Sequence, residues 1–428
     1  MNEFVAIGVF AAVYFLIIGR RRVGIPIWAS MLIGAAFMVG LQVISPEAAI
    51  RSVNLDVIAF LFGMFSIVSA LERAGVLKRV AIRMLSMAGT PSRLLMVFVV
   101  GMGVLAAFLV NDTIALLGVP LVIYVAAHTG IRPVVLMLAL AFGITVGSVM
   151  TPIGNPQNLL IAIGSGIPIP FITFLTYLTL PTIASLFATY FILKLVYRHD
   201  IVTAASNLRT TQMTQEIDGI YNARLARISI IVLLATLAGF IASEVLMFLG
   251  VAQVGLSAVA MMGAAAVYAA SSNRVEILKT VNYPVLVFFG AMFVVMTALW
   301  SSGAISMVFL DVLPAPDPSN SLQSAGVITA ASIGISQVLS NVPFVALYTF
   351  VMEDSGFTGA HVDQWMLLAA VSTIAGNLTI LGAASNIIII EAAESRGVQP
   401  FSFLEFFKVG SLVTAANLAI YFVFIVLL

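Results

Sequence analysis

Two eight-residue segments, 228 positions apart, interrupt long apolar runs with the same pattern of polar residues. The first reads Thr-Pro-Ile-Gly-Asn-Pro-Gln-Asn at 151–158, and the second reads Thr-Ile-Leu-Gly-Ala-Ala-Ser-Asn at 379–386. Another pair of breaks is Asn-Asp-Thr at 111–113 and Ser-Asn-Val-Pro at 340–343, in which Asn111 and Asn341 coincide at an offset of 230. The chain is therefore an internal duplication. Paired polar breaks in corresponding apolar segments indicate the binding site of a secondary transporter.

The composition places the chain in a lipid bilayer. Hydrophobic residues make up 61% and charged residues only 9%, whereas a soluble domain carries about 25% charged residues. Apolar stretches of membrane-spanning length occur at roughly 4–19, 24–44, 56–71, 171–197, 225–248, 252–270, 283–300 and 411–428. The interrupted regions at 94–127, 133–166, 324–352 and 365–394 fill the gaps between them.

The charges around the first apolar run predict its orientation. Glu3 precedes the run and arginines follow it at 20–22, which is the reverse of the charge order in a cleavable signal peptide. Because lysine and arginine in short loops stay on the cytoplasmic side, we expect a retained helix that starts outside the cell. The same count along the chain predicts a multi-pass protein of a bacterial or archaeal plasma membrane, with both termini outside.

Equivalent loops of the two copies carry opposite charge. The loop after Leu71 is rich in Arg and Lys, whereas the equivalent loop after Leu299 is acidic and contains Asp311. The charge rule is satisfied when 94–127 is a re-entrant hairpin from the cytoplasm and 324–352 is one from outside. We therefore predict an all-α polytopic membrane protein with two inverted-topology repeats. Each repeat has a re-entrant helical hairpin and a discontinuous transmembrane helix.

The duplication divides the chain into three predicted parts. The first inverted repeat takes up residues 1–197 and the second takes up residues 225–428. Between them, residues 198–224 are polar, basic and without apolar periodicity. We expect this middle segment to be a cytoplasmic linker.

The break at 151–158 is predicted to be unwound. It contains two prolines and a glycine, so it cannot be a continuous helix. In hydrocarbon, non-helical backbone is tolerated only where protein or a watery cavity covers it, and a helix N-terminus beginning near Gln157 favours an oxygen-bearing or anionic ligand. The alternative is that Pro and Gly only kink the helix and Asn satisfies the kink. The polar groups that we expect at the two breaks are Thr151, Asn155, Gln157, Asn158, Asn377 and Thr379.

Asp112 is the one acidic residue that this topology places well inside the membrane. A charged side chain there costs about 2.5–3.5 kcal/mol by insertion scales and is functional by default. We therefore predict that Asp112 carries the coupling proton. The alternative is an aspartate that caps a helix at the hairpin turn, and the two roles can coexist. The matching stretch at 340–342 has no acid, so the proton step is expected in one half only.

The first turn and the arm after it resemble a known family. Asn-Asp-Thr at 111–113, followed by an apolar arm with Gly118 and Pro120, resembles the ion transporter superfamily that includes the ArsB-type arsenite efflux permeases. Asn-Val-Pro at 341–343 and the segment at 379–386 are similar to the second-half signatures of that superfamily. The resemblance covers most of the chain. The same superfamily includes dicarboxylate and citrate carriers, silicate exporters and NhaD-type sodium/proton antiporters.

The resemblance implies a substrate site near the bilayer midplane, formed by the tip of each hairpin and the unwound helix that faces it. The residues that it implies by position are Asn111, Asp112, Thr113, Gly154, Asn155, Asn158, Ser340, Asn341, Gly382, Ser385 and Asn386. Dicarboxylate carriers have Ser-Asn-Thr at both tips, which neither tip of this chain reproduces in full. An aspartate at a tip is a poor partner for a dianion, because like charges would share a desolvated site. It fits a neutral hydroxide such as arsenous acid, or a cation, better.

The leading hypothesis is a secondary active transporter that exports arsenite or antimonite in exchange for protons by alternating access. Its partners would be the substrate, protons and the lipid bilayer, with no nucleic acid, cofactor or metal, and an accessory ATPase would not be required. An inorganic or organic anion permease and a sodium/proton antiporter remain open. An enzyme is not expected, because the chain lacks the paired membrane carboxylates, the His-Glu-x-x-His motif and the membrane histidine of intramembrane proteases.

Overall fold

The computed structural model describes residues 2–86, 88–204, 222–252, 254–305, 314–317 and 321–427. Within these residues the regular secondary structure is helical, and nine helices are long and apolar enough to cross a membrane. Residues 205–221 of the predicted linker and the predicted external residue Asp311 lie outside the described ranges. The division into two repeats and a linker therefore stays a prediction, whereas the polytopic helical architecture is confirmed.

Within the described ranges each half contributes eight principal helices, which agree closely with the apolar stretches of the sequence. In the first half they are α1 (Asn2–Ile18), α2 (Ile27–Gly40), α3 (Leu55–Arg73), α4 (Pro91–Leu109), α5 (Asn111–Thr129), α6 (Pro133–Gly147), α7 (Pro156–Gly164) and α8 (Pro170–Val196). In the second half they are α9 (Ala223–Phe248), α10 (Leu256–Ala270), α11 (Tyr283–Ser301), α12 (Ser321–Leu339), α13 (Asn341–Asp354), α14 (Val362–Ala375), α15 (Ala384–Glu394) and α16 (Phe403–Phe422). Shorter helices are Arg20–Val23, Pro46–Ser52, Val76–Ser86, Arg198–Ala204 and Arg274–Lys279.

A single residue joins the two arms of each predicted hairpin. Val110 connects α4 to α5 with φ 64°, and Ser340 connects α12 to α13 with φ 65°. A positive φ is unfavourable for a residue with a side chain, and it is rare for a β-branched one such as valine. The surrounding structure must hold these conformations. Both hairpins are therefore built with the same strained turn, 230 positions apart in the chain.

The two predicted breaks are unwound, as the sequence indicates. After α6, a 3-10 turn (Ser148–Met150) leads into extended backbone, and α7 starts at Pro156. Asn155 caps α7 by accepting a hydrogen bond from the backbone N–H of Asn158 at 2.8 Å, and proline is well suited to the first helical position. In the second half a 3-10 turn (Ile380–Gly382) lies between α14 and α15.

The helices of the two halves interlock at equivalent places. Helix α3 packs against α9 and α10, while its counterpart α11 packs against α1 and α2. Helix α5 packs against α15, and its counterpart α13 packs against α7. The broken helices α6 and α14 are almost entirely buried. This arrangement brings both hairpin tips and both unwound segments into the centre of the protein.

Glycines clamp the first hairpin to the broken helix beside it. A Cβ atom added at Gly103 on α4 would lie 2.7 Å from the carbonyl oxygen of Gly143 on α6, and one at Gly147 would overlap the backbone of Gly103. Small residues of this kind let membrane helices approach closely. The equivalent residues of α12 and α14 are Ile333, Val371 and Ala375. The second hairpin therefore lacks this glycine clamp.

An ion pair fixes the base of the first hairpin. Arg132, between α5 and α6, donates to both carboxylate oxygens of Asp200 at 2.6 and 3.0 Å. The hydrogen bond to Asp200 raises the pKa of Arg132. The Arg132 guanidinium also lies 5.7 Å from the ring centre of Tyr197, whose burial raises the pKa of that phenol. The short helix at the start of the predicted linker is thus tied to the hairpin.

Candidate substrate-binding site

In the first half the hairpin tip contacts the unwound segment directly. The backbone N–H of Asn111 donates to the carbonyl of Gly154 at 2.9 Å. The hydroxyl of Thr151 donates to the carbonyl of Ala107 at the end of the first arm. Asn111, which sequence reasoning placed at the tip, and Thr151 and Gly154, which it placed at the break, are therefore part of one structure. Asp112 and Thr113 follow in the first turn of α5.

The second half repeats this arrangement with two differences, in which the Ser340 hydroxyl replaces the backbone N–H of Asn111 and Gln337 replaces Ala107. The Ser340 hydroxyl lies 3.4 Å from the carbonyl of Gly382. The Thr379 hydroxyl donates to the side-chain oxygen of Gln337 at 2.8 Å. Gln337 stands at the position equivalent to Ala107, so a side-chain carbonyl replaces a backbone carbonyl. Gln337 was missed from the sequence, because a lone glutamine on an apolar arm has no repeat partner of its own type.

The last asparagine of each repeated segment satisfies the unwound backbone. The Asn158 side-chain amide donates to the carbonyls of Ser148, Val149 and Thr151 at 3.1–3.2 Å. The Asn386 side-chain amide donates to the carbonyl of Gly376 at 2.8 Å and approaches that of Thr379 at 3.5 Å. The alternative in which asparagine satisfies the kink therefore holds for the side-chain NH2 groups of both residues. Their side-chain oxygens differ, because that of Asn158 accepts a hydrogen bond from Thr373 and that of Asn386 has no partner among the described residues.

Thr373 on α14 joins the first break to the second half. Its hydroxyl accepts hydrogen bonds from Asn155 Nδ2 and Gln157 Nε2 and donates to Asn158 Oδ1, each at 3.3 Å. All of these side chains are buried. Sequence reasoning missed Thr373, although a signal existed, because Thr145 occupies the equivalent position 228 residues earlier.

Buried polar atoms without a partner occur at both tips, at the end of α6 and around the second break. Among the described residues, the buried atoms near the breaks that lack a hydrogen-bond partner are Asn111 Oδ1, Thr145 Oγ1, Asn341 Oδ1, Asn377 Oδ1 and Nδ2, Ser385 Oγ and Asn386 Oδ1. A buried polar group without a partner costs about 1–3 kcal/mol, so such groups call for a ligand or water. The carboxamides of the first break are instead used within the protein. The structure thus brings the predicted residues together but gives the two breaks different chemistry.

Asp112 and Thr113 line a cavity of about 570 Å³ beside the first tip. Glu72 of α3, Glu391 of α15 and Arg396 also line it, so its wall is charged and is shared by both halves. Asp112 therefore faces a polar cavity and is not enclosed by apolar side chains alone. No group of three or more His, Cys, Asp or Glu side chains in the described part of the chain is arranged to hold a metal ion.

A second acid, Glu244 near the end of α9, is buried within the protein and was not singled out from the sequence. Its carboxylate accepts hydrogen bonds from the backbone N–H groups of Phe171 and Ile172 at 2.6 and 2.8 Å. These are free N–H groups of the first turn of α8, where Pro170 has none to offer. Glu244 thus caps a helix of the other half, which the sequence does not reveal because the two residues are far apart in the chain.

Comparison with known proteins agrees with this architecture. Residues 13–375 match the family described as citrate transporter, CitMHS. An uncharacterized transporter of Mycobacterium tuberculosis is 30% identical, covering 97% of this chain and 96% of its own. A silicon efflux transporter of Oryza sativa subsp. japonica is 28% identical, covering 90% of this chain and 88% of its own. This chain is therefore a multi-pass membrane transporter that belongs to the CitMHS citrate transporter family.

Proposed function

We propose that the protein exports arsenite or antimonite in exchange for protons, by alternating access between two inverted halves. The observation that supports this substrate class most strongly is the set of unpartnered carboxamide oxygens near the breaks, on Asn111, Asn341, Asn377 and Asn386. A carboxamide oxygen only accepts hydrogen bonds. A substrate that satisfies these oxygens must bring hydrogen-bond donors, and neutral arsenous acid supplies three in its hydroxyl groups.

The orientation of two of these carboxamides follows from their partners. Asn386 Nδ2 donates to the carbonyl of Gly376 at 2.8 Å, and Asn341 Nδ2 donates to the carbonyl of Thr373 at 3.4 Å. Because a carbonyl cannot donate, the nitrogen must face it and the oxygen must point elsewhere. The oxygens of a carboxylate substrate are mostly hydrogen-bond acceptors, so they cannot pair with these side-chain oxygens, which also accept. The site therefore favours a neutral hydroxide over citrate.

Silicic acid is the second candidate. It is also a neutral hydroxide, and one relative of this chain is named a silicon efflux transporter. Arsenous acid is smaller and has three hydroxyl groups where silicic acid has four, so the unpartnered oxygens can accept from either solute and the transport assay below separates the two. Citrate is the candidate that the family description supplies, and the acceptor-rich site argues against it.

Asp112 is the group that we assign to proton coupling. It lines the charged cavity next to the first tip, where it can exchange a proton with water, and its neighbour Asn111 contacts the unwound segment. The second tip has valine at the equivalent position, so coupling is confined to one half. One charge moved through about 100 mV supplies about 2.3 kcal/mol, enough for a roughly fiftyfold gradient.

Two observations support the inverted arrangement. Equivalent helices make equivalent contacts when the halves are exchanged, as a two-fold relation requires. The loops that follow Leu71 and Leu299 differ in charge, which the positive-inside rule explains if that two-fold axis lies in the membrane plane. The same rule puts both termini outside.

The test uses everted membrane vesicles with an imposed proton gradient. We expect wild-type vesicles to accumulate arsenite or antimonite, and Asp112→Asn to abolish the proton-driven component while keeping substrate exchange at equal concentrations. Asp354→Asn, an exposed acid at the end of the second hairpin, is the matched control and should transport normally. Proton-driven accumulation by Asp112→Asn would exclude the coupling role. Uptake of silicic acid or citrate in place of arsenite would exclude the substrate.

A further inference from the structure

One face of α12 carries buried serines whose hydroxyls have no partner. Ser324, Ser332 and Ser336 are at most 1% exposed, and each hydroxyl lacks a hydrogen bond within the described residues. Other serines in these helices donate to a carbonyl one turn earlier, as Ser66 does to Phe62 at 2.7 Å and Ser229 does to Leu225 at 2.8 Å, although Ser185 on α8 also lacks a partner. The three serines on α12 forgo this bond although it is available in any helix. Their hydroxyls therefore differ from ordinary helix serines.

This hydroxyl face has no counterpart in the first hairpin. The residues 230 positions earlier on α4 are Leu94, Met102 and Ala106, which are apolar. Both arms pack against the broken helix of their own half. The serines are thus not required by the hairpin fold, because the same fold is made without them.

The hydroxyl face runs between two polar regions. At one end Ser324 lines a cavity of about 370 Å³ together with Ser321, Asp363 and Gln364. At the other end the face reaches the hairpin tip at Ser340. The helix rises about 1.5 Å per residue, so Ser324 and Ser336 are about 18 Å apart, roughly half of the 30 Å hydrocarbon thickness of a bilayer. The face therefore links a surface cavity to the central site.

Helix α12 packs against α14 through side chains, among them Gln337, which donates to the carbonyl of Ala375 at 3.0 Å. The glycine clamp that holds α4 against α6 is replaced here by Ile333, Val371 and Ala375, which have side chains. Gly334 on α12 has no neighbouring atom within 4 Å of an added Cβ. Helix α12, which carries the unpartnered hydroxyls, thus lacks the close backbone contact that α4 makes with α6.

We propose that the hydroxyl face of α12 (Ser324, Ser332 and Ser336) is the outward half of the translocation pathway. When α12 moves away from α14, these hydroxyls bind water and a small neutral solute that both donates and accepts hydrogen bonds. In the state described here the face is closed and its hydroxyls are unsatisfied. The proposal rests on the alternating-access transport proposed above, but it does not depend on which neutral solute is carried.

The chain contains no cysteine, so single cysteines can be introduced without a background. In right-side-out vesicles, a charged, membrane-impermeant thiol reagent should modify Ser332→Cys and Ser336→Cys. The matched variants Met102→Cys and Ala106→Cys, at the equivalent places on α4, should stay unmodified. In everted vesicles the reagent should leave all four unmodified. Equal modification of both pairs, modification from the opposite side, or no modification at all would overturn the proposal.

A second measurement separates a pathway from a packing role. We expect Ser332→Ala and Ser336→Ala to keep or raise the thermal unfolding temperature, because each removes an unsatisfied hydroxyl. Each should also lower the rate of transport by about fivefold, the equivalent of one hydrogen bond, for whichever of arsenite, silicic acid or citrate the wild type carries. A lower unfolding temperature, or an unchanged rate, would refute the role. If the wild type carries no arsenite but the cysteines react as expected, the substrate assignment fails and the pathway stands.

Discussion

Replacing Thr373 by valine removes the hydroxyl that joins the two broken helices and leaves the side-chain volume almost unchanged. In the structure this hydroxyl bonds with Asn155, Gln157 and Asn158. Asn155 Nδ2 keeps its contacts with the backbone and side chain of Ser148. Gln157 Nε2 and Asn158 Oδ1 each have one hydrogen bond in the described structure, and in both cases the partner is the Thr373 hydroxyl. The substitution therefore leaves one donor and one acceptor buried without a partner.

The cost follows from these two groups. A buried polar group that loses its partner costs about 1–3 kcal/mol, so we expect Thr373→Val to lower the free energy of unfolding by about 2–5 kcal/mol. At about 2 °C per kcal/mol for a large domain, the unfolding temperature should fall by about 4–10 °C. Valine adds no cavity, so lost packing does not contribute to this difference.

The matched control is Thr145→Val at the equivalent position of the first half. The hydroxyl of Thr145 is buried and has no partner among the described residues, so its removal should leave the unfolding temperature unchanged or raise it. The assay is thermal unfolding of the purified proteins in one detergent, without substrate. Equal shifts in the two variants would refute the assignment of Thr373 as the link between the halves, because the two substitutions change the same atoms.

Two further pairs of substitutions test how the helices are held. Glu244→Ala should lower the free energy of unfolding by about 2–4 kcal/mol, because it removes two charge-assisted bonds at a helix N-terminus. Glu244→Gln should lower it less, since glutamine keeps one acceptor oxygen. Equal losses of unfolding temperature in the two variants would contradict this. Gly147→Ala should destabilise by about 1–3 kcal/mol or more through overlap with the backbone of α4, whereas Gly334→Ala, which meets open space, should be neutral or gain about 0.5–1 kcal/mol of helix propensity. A reversed order in unfolding temperature would disprove the glycine clamp.

Local chemistry was sufficient to predict the course of the chain. Apolar length predicts the spanning helices, and the two prolines at 151–158 predict the first break because they cannot lie within a helix. The start of α7 follows from Asn155 and Pro156, since asparagine caps helices and proline fits their first position. The second break, which has no proline, was found through its similarity to the first. Repetition therefore supplied what local propensity lacked.

Contacts between residues far apart in the chain could not be predicted from the sequence. Thr373 and Gln337 are single polar residues in apolar helices, and such residues commonly serve helix packing. Their role appears only when another segment of the chain is placed against them. Glu244 was overlooked for the same reason, because the helix that it caps lies about 70 residues earlier in the chain. The sequence contains the residues of these contacts but not their pairing.

The two breaks have the same backbone arrangement but different side chains. The side chains differ at positions that do not hold the backbone in place. Thr151 and Asn158 make the contacts that Thr379 and Asn386 repeat. Between them, Asn and Gln at 155 and 157 give way to Ala and Ser at 383 and 385. The first break thus satisfies its own polar groups, while the second leaves them unpaired. Polar atoms that are unsatisfied without substrate lower stability, so confining most of them to one copy lets the other copy keep the fold.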